Sequence, residues 1–320
     1  MNLLFVTSTR IGDAVLSTGV LGYLIEAYPG ARITIACGPL AAPLFQAVPG
    51  LERVLTLEKR GWAGHWLGLW AGTVGRPWRL VVDLRGSLLA YLLAARERRV
   101  LLKSTSAEHR VVRLARLFGL GDRPPPPRLW IAPEHAARAA AVIPRERTVL
   151  ALAPAANWRA KTWRAERFAA LARSLTAADG MLPDASVMVL GGAEDRGQAE
   201  PVLAALPASR VIDLVGRIDL MTAAAAIGRA RLFVGNDSGL MHLAAATGVP
   251  TVGLFGPSPV EHYRPWGERS AVALTPASPA ELMSQPGWDH RTSDTLMDGL
   301  SVAAVERVCR DLWQRVGGGA

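Results

Sequence analysis

Three groups of residues in this chain have the types and spacing to do chemistry. The first is Arg10-Ile11-Gly12-Asp13, directly after an apolar run, Leu3–Thr7, that has the pattern of a strand. Gly12 allows a tight turn or the close approach of a ligand, and Asp13 falls where the next helical period begins. As a simple N-cap, Asp13 would be worth about 1 kcal/mol. As a carboxylate at the mouth of a cleft, flanked by Arg10, it could take a proton from a hydroxyl nucleophile. The second group, residues 154–163, holds Lys161 between Trp158 and Trp163. A lysine after a strand suits an anion, as a compact point charge on phosphate. The plainer alternative is a solvated loop lysine with the tryptophans packing locally.

The third group is the most specific: Phe233-Val234-Gly235-Asn236-Asp237-Ser238-Gly239-Leu240-Met241-His242 leaves a strand and enters an alanine-rich helix. Small polar residues there lie where helix N–H groups are unpaired, a ready pyrophosphate site. Asp237 could cap the helix or hold sugar hydroxyls, Ser238 could donate to phosphate, and Gly239 lets the backbone approach. His242 follows one turn later, either as a structural histidine or as part of the same terminus. Glu194, in Leu190-Gly191-Gly192-Ala193-Glu194-Asp195, also follows a strand pattern. A carboxylate there could bind ribose hydroxyls, or simply start a helix.

The elements that must position these residues alternate short apolar runs with longer helical periods, the pattern of an α/β chain with parallel sheets. Strands are expected at Leu3–Thr7, Arg32–Ala36, Arg53–Leu57, Leu80–Asp83 and Arg99–Leu102, with helices at Asp13–Ala27 and Ser87–Ala95. A second series follows, with strands at Val149–Ala153, Ser186–Leu190, Arg231–Gly235 and Thr251–Leu254. Its helices are expected near Ala165–Leu175, Leu220–Gly228, Gly239–Thr247 and Val302–Val316. Two Rossmann-like domains facing a cleft follow, 1–146 and 147–320, divided around Pro144-Arg145-Glu146-Arg147, with the last helix able to pack back on the first domain. The tetraproline Pro124–Pro127 is a stiff extended segment placed late in the first domain.

Several classes lose their support. No G-x-G-x-x-G follows the first strand and no G-x-x-x-x-G-K-[ST] occurs, against a nicotinamide-dependent dehydrogenase and a P-loop enzyme. Cys37 and Cys309 are the only cysteines, too few for a disulfide scaffold or a zinc site, and a reducing cytoplasmic setting is the natural expectation. No signal peptide or membrane span is expected. The formal net charge is +9, and all of it lies in residues 1–144, with 18 basic against 9 acidic residues; residues 145–320 hold 18 of each. Such a surface attracts nucleic acid, anionic lipid or an acidic substrate. Only three of the 36 basic residues are lysines.

Taken together, these segments resemble glycosyltransferase family 9, the ADP-heptose:lipopolysaccharide heptosyltransferases. The resemblance rests on Ile11-Gly12-Asp13, Val82–Ser87, Lys161-Thr162-Trp163, Asp213–Arg217, Gly235–Ala246, Phe255-Gly256-Pro257-Ser258 and Tyr263–Gly267, and covers nearly the whole chain. It implies a GT-B fold, with the acceptor on the first domain and the nucleotide sugar on the second. It further implies Asp13 as catalytic base, with Arg10 and Gly12 at the acceptor cleft. Lys161 would contact donor phosphate, Glu194 the ribose, and Asp237, Ser238, Gly239 and His242 the diphosphate and sugar. No cofactor and no metal are implied; the donor, ADP-heptose or another nucleotide sugar, is a substrate. The implied partner is a lipopolysaccharide core or other anionic glycolipid, reached in the cytoplasm or peripherally at the inner membrane, and not nucleic acid. Ala155 and Ala156 depart from the family's hydrogen-bonding residues, Ser238 replaces threonine, and Gly19 stands where proline is usual.

Trp62, Trp66 and Trp70 recur at helical spacing. They form either a buried face or, with Lys59, Arg60, Arg76 and Arg79, an interfacial face against an anionic leaflet. Three rival readings lack support: a basic nucleic-acid-binding protein lacks a module signature, a sugar-nucleotide epimerase lacks further acid/base residues, and a decayed binding protein would not keep Asp13, Lys161 and Asp237.

Overall fold

A computed structural model describes residues 1–58, 64–103, 106–284, 288–289 and 294–317. The chain divides into two compact units, Met1–Ala132 and Pro133–Ala320. In the first, β1 (Asn2–Val6), β2 (Arg32–Cys37), β3 (Leu51–Thr56), β4 (Trp78–Asp83) and β5 (Ala95–Val100) form a parallel sheet ordered β3-β2-β1-β4-β5. Helices α1 (Ile11–Ala27), α2 (Gly64–Thr73) and α3 (Arg110–Arg116) accompany it. Leu3, Leu4, Phe5 and Val6 are all buried, as a central strand covered on both faces requires.

α1 is buried on nearly every side, and its Gly19 is where the tetraproline segment crosses it. A Cβ on Gly19 would stand 2.2 Å from the Pro125 carbonyl oxygen. The Arg128 N–H, just beyond the prolines, donates to Thr18 Oγ1 at 2.9 Å. The prolines therefore lie inside the first unit, against a helix that must be bare at that point.

The second unit holds β6 (Val149–Ala153), β7 (Ser186–Val189), β8 (Val211–Asp213), β9 (Leu232–Asn236), β10 (Thr251–Phe255) and β11 (Ser270–Leu274), all parallel, ordered β11-β10-β9-β6-β7-β8. Its helices are α4 (Pro133–Val142), α5 (Ala165–Thr176), α6 (Arg196–Ala204), α7 (Leu220–Ile227), α8 (Gly239–Thr247), α9 (Val260–Tyr263), α10 (Pro279–Met283) and α11 (Val302–Arg315).

Three expectations are corrected. The division falls at Ala132/Pro133 and not at 146/147, because α4 packs on α7 and His135 Nδ1 lies 3.0 Å from Thr222 Oγ1. α11 contributes Val305, Cys309 and Leu312 to the second unit's core. The expected helix Ser87–Ala95 is one 3-10 turn, Leu88–Tyr91, followed by β5. Its successor, Ala-Arg-Glu-Arg-Arg-Val, is an edge strand, where charged side chains blunt unwanted pairing and hide the strand signal. On α2, Trp66 is half-buried against the core while Trp70 is 39% exposed, so the two share no single buried face. Lys59, Arg60 and Trp62 lie outside the described residues; Arg76 and Arg79 are paired with Glu52 and Glu97. No helix among the described residues is long and apolar enough to cross a membrane.

Candidate functional site

Both sheets change direction beside their first strand: β1 lies between β2 and β4, and β6 between β7 and β9. In doubly wound sheets ligands bind at such switch points, beyond the strands' carboxyl ends. The loops after β1 and β4, and after β6 and β9, are therefore where binding groups belong. Asp13 and Arg85 come from the first pair, Lys161 and Asp237 from the second.

In the second unit Lys161 Nζ donates to Asp237 Oδ2 at 2.6 Å, with 22% and 7% of the two side chains exposed. The fully buried Asn236 ties the same two loops together. Its Nδ2 donates to the Pro154 carbonyl at 2.7 Å, and its Oδ1 accepts from the Trp163 N–H at 3.0 Å. Trp163 packs edge-on to Phe168 with centroids 5.0 Å apart and donates from Nε1 to the Leu300 carbonyl. The local-packing account thus holds for Trp163, while Lys161 is paired and not simply solvated. Gln198 on α6 supports the loop: its Oε1 accepts from Thr162 Oγ1 at 3.1 Å and from the Ala156 N–H at 3.4 Å. Ala155 and Ala156 thus offer backbone only.

Asp237 is not the cap of α8. Ser238 occupies that position, extended, and no side chain caps the helix. The N–H groups of the first turn then lack intrahelical partners and point outward. The Ser238 hydroxyl oxygen is buried without a hydrogen-bond partner, as is that of Ser258 after β10. A buried hydroxyl left unpaired is costly unless a ligand satisfies it. Nothing in the local sequence around Ser258 marks it as a binding residue. His242 is 4% exposed on the first turn of α8, next to Gly239 at its start. Glu194 is exposed on a 3-10 turn, Ala193–Asp195, and forms no hydrogen bond with the Lys161–Asp237 pair. Asp195 holds that turn, accepting from the Gly192 N–H at 2.8 Å, and burial pushes its carboxyl above the usual range.

In the first unit Asp13 is the third residue of α1; Arg10 is the N-cap. A carboxylate in the first turn complements the helix dipole. Arg110 Nε on α3 stands 3.8 Å from Asp13 Oδ1. Arg10 is exposed and Gly12 half-buried. Arg110 also lines a pocket of about 710 Å³ with Arg85, Lys103 and Arg113 among three leucines, and none of its described lining residues is a carboxylate. Sequence reasoning missed this group of four cations. Fully buried Asp83 shapes its rim, accepting from the Arg85 and Ser87 N–H groups, each at 2.8 Å. Gly86 takes φ 64°, where a Cβ would meet the Leu101 carbonyl at 2.6 Å. Among the described residues, no group of three or more His, Cys, Asp or Glu could hold a metal ion.

The chain matches the profile of glycosyltransferase family 9 (heptosyltransferase) over residues 85–285. It is 26% identical over 311 residues to lipopolysaccharide heptosyltransferase 2 of Salmonella typhimurium, covering 85% of this chain and 87% of that protein. It is 30% identical over 131 residues to lipooligosaccharide heptosyltransferase 2 of Haemophilus influenzae, a match spanning 40% of this chain and only 36% of the relative. Among solved structures, ADP-heptose lps heptosyltransferase II of E. coli has a similar fold, with TM-score 0.76, 23% identity and 100% of both chains covered. The iron-containing dodecameric glycosyltransferase TibC of enterotoxigenic E. coli is more distant, at TM-score 0.59 and 15% identity over 100% of this chain and 80% of that one. These likenesses show the GT-B fold.

Proposed function

The chain belongs to glycosyltransferase family 9 and is a glycosyltransferase, and from that premise we propose that it moves heptose from ADP-heptose to an anionic lipopolysaccharide core acceptor, with inversion. The observation that carries the donor half is the Lys161–Asp237 pair at the β6/β9 switch point, beside the uncapped α8 terminus and the orphaned Ser238 hydroxyl. A diphosphate supplies what those groups lack. Lys161, Ser238 and the N–H groups from Gly239 onward receive the charge that develops on the leaving ADP. Asp237 and His242 hold sugar hydroxyls, and Glu194, exposed and unengaged, takes the ribose.

In the first unit Asp13 acts as general base. It removes the proton of an acceptor hydroxyl while that oxygen bonds to the anomeric carbon and the bond to the diphosphate breaks, leaving ADP and a lengthened glycan. Arg110 keeps the Asp13 carboxylate oriented. Arg10 and Gly12 flank it, and the four-cation pocket takes the acceptor's acidic groups. The step uses no metal, since placed donors do the work of a divalent cation. The setting is the cytoplasmic face of the inner membrane, where a lipid-borne acceptor is met.

The test offers the purified chain ADP-heptose, ADP-glucose and UDP- and GDP-sugars with heptose-deficient lipooligosaccharide, the product being weighed by mass spectrometry. Gain of one heptose from ADP-heptose alone is expected, unchanged after EDTA treatment. Transfer only from another donor overturns the heptose assignment. Activity lost to EDTA and restored by magnesium or iron overturns the metal-free step.

A further inference from the structure

Next to the cation pocket, the first unit carries an apolar surface that neither its core nor the proposed transfer uses. α2 turns Leu69 inward and leaves Leu67 68% exposed and Trp70 39% exposed. The 3-10 turn after β4 does likewise: Leu89 and Ala90 are buried, whereas Leu88 is 78%, Tyr91 59% and Leu92 64% exposed. Between the two elements lies a groove of about 640 Å³ lined by Trp66, Leu67, Trp70, Leu88 and Leu92. A concentrated apolar patch of this kind marks an interaction surface.

These leucines are held outward by construction. The Arg98 guanidinium donates to the carbonyls of Ala90 at 2.8 Å, Leu93 at 2.7 Å and Ala95 at 3.1 Å, fixing the turn from behind. Asp83 fixes the loop before it. Arg85 links the groove to the cation pocket: it lines both, and its guanidinium carbon lies 5.1 Å from the Trp66 ring centre. The surface is thus apolar at its centre and cationic on one flank.

We propose that this face docks on an anionic lipid bilayer. Leu88, Tyr91 and Leu92 enter the headgroup–acyl boundary with Leu67 and Trp70, while Arg85 at the flank meets acidic headgroups. Tryptophan and tyrosine favour that boundary, and basic residues gain from an anionic leaflet. A second copy of the chain fits less well, because a self-complementary contact would bring two such cationic flanks together. The proposal rests on the transfer reading only in that a lipid-borne acceptor would lie at the same surface.

Co-sedimentation of the full chain with phosphatidylethanolamine–phosphatidylglycerol vesicles, against phosphatidylcholine vesicles, measures the docking. Wild type is expected to bind the anionic vesicles, and L88S/L92S to lose roughly tenfold or more in partitioning with an unchanged melting temperature. No binding by wild type, equal binding by the double variant, or equal binding to both vesicle types overturns the proposal. So does a dimer, seen by light scattering, that the double variant dissolves. The thermal shift with ADP is measured alongside. Its absence in wild type counts against the transfer reading, and its presence with failed vesicle binding counts against the docking alone.

Discussion

Replacing Lys161 by methionine removes the cation beside Asp237 and keeps most of the side chain's bulk. Asp237 has 7% of its side chain exposed, so its carboxylate is left buried and uncompensated. Breaking a buried pair from one side costs roughly 3–5 kcal/mol. The reverse change is milder. In D237N the Lys161 ammonium, 22% exposed, still has a carbonyl to donate to and a path to water. Its cost is about 1 kcal/mol, the worth of one ordinary hydrogen bond. The double variant K161M/D237N restores neutrality and falls between the two. Urea unfolding of the three variants, followed by tryptophan fluorescence, measures this asymmetry. If D237N costs as much as K161M, or the two costs simply add, Asp237 is not the buried dependent partner. Isothermal titration with ADP tests the second role of Lys161. Loss of a charge-assisted bond worth about 1.5–3 kcal/mol weakens binding roughly 10- to 150-fold. ADP bound by K161M as tightly as by wild type would remove Lys161 from the phosphate site.

Three further outcomes are expected. D13N should lower turnover roughly 100- to 10,000-fold while ADP affinity holds; near-normal turnover in a steady-state transfer assay removes Asp13 as the base. Gly19→Ala should lower the melting temperature, because its Cβ would sit 2.2 Å from the Pro125 oxygen and 2.7 Å from the Pro126 oxygen, both backbone. The overpacking cost, roughly 1–3 kcal/mol, outweighs the helix gain of about 1 kcal/mol from replacing glycine; a rise in melting temperature by calorimetry would contradict the packing. Acid should weaken the second unit, because the Arg164 guanidinium holds the Asp298 carboxyl, and the Arg310 guanidinium the Glu306 carboxyl, below the usual range. A carboxyl lowered on folding adds stability at neutral pH that is lost as the pH falls through and below about 4. Melting scans should decline there, and less steeply in R164M.

The strands at the sheet centres were legible because they are buried on both faces and so read as unbroken apolar runs. Val149–Ala153 coincides with β6, and Arg231–Gly235 lies one residue from β9. With those strands came the loops that follow them, and hence Lys161, Asp237 and Asp13. The margins were legible only in part: Arg53–Leu57 overlaps the edge strand β3 and Arg99–Leu102 only the end of β5, while β8 and β11 had no expected counterpart. β8 is three residues long, β5 is mostly charged, and β11 lies at a sheet edge. Such strands owe their place to a neighbour's hydrogen bonds more than to their own pattern. The four-cation pocket was hidden for another reason. Arg85, Lys103, Arg110 and Arg113 come from three separate segments, in a chain where all but three of 36 basic residues are arginine, so none of them stands out locally.

The surplus of charge in the first half shows how composition and structure divide the work. The +9 says that the half is basic, but many of its arginines are already engaged. Arg76 and Arg79 each face a glutamate at 2.8 and 2.6 Å, and Arg98 is spent on three backbone carbonyls. Screened surface pairs of that kind contribute little to the field outside. Cations are instead gathered in the pocket where Arg110 faces Asp13 at 3.8 Å, with Arg85 continuing along the flank of the Leu88–Leu92 surface. An extended polyanion such as DNA would need cations spread along a stripe. A concave cluster next to exposed leucines favours a ligand that is acidic at one end and apolar at the other. The arrangement of the charge, more than its amount, therefore supports the anionic glycolipid proposed as the acceptor.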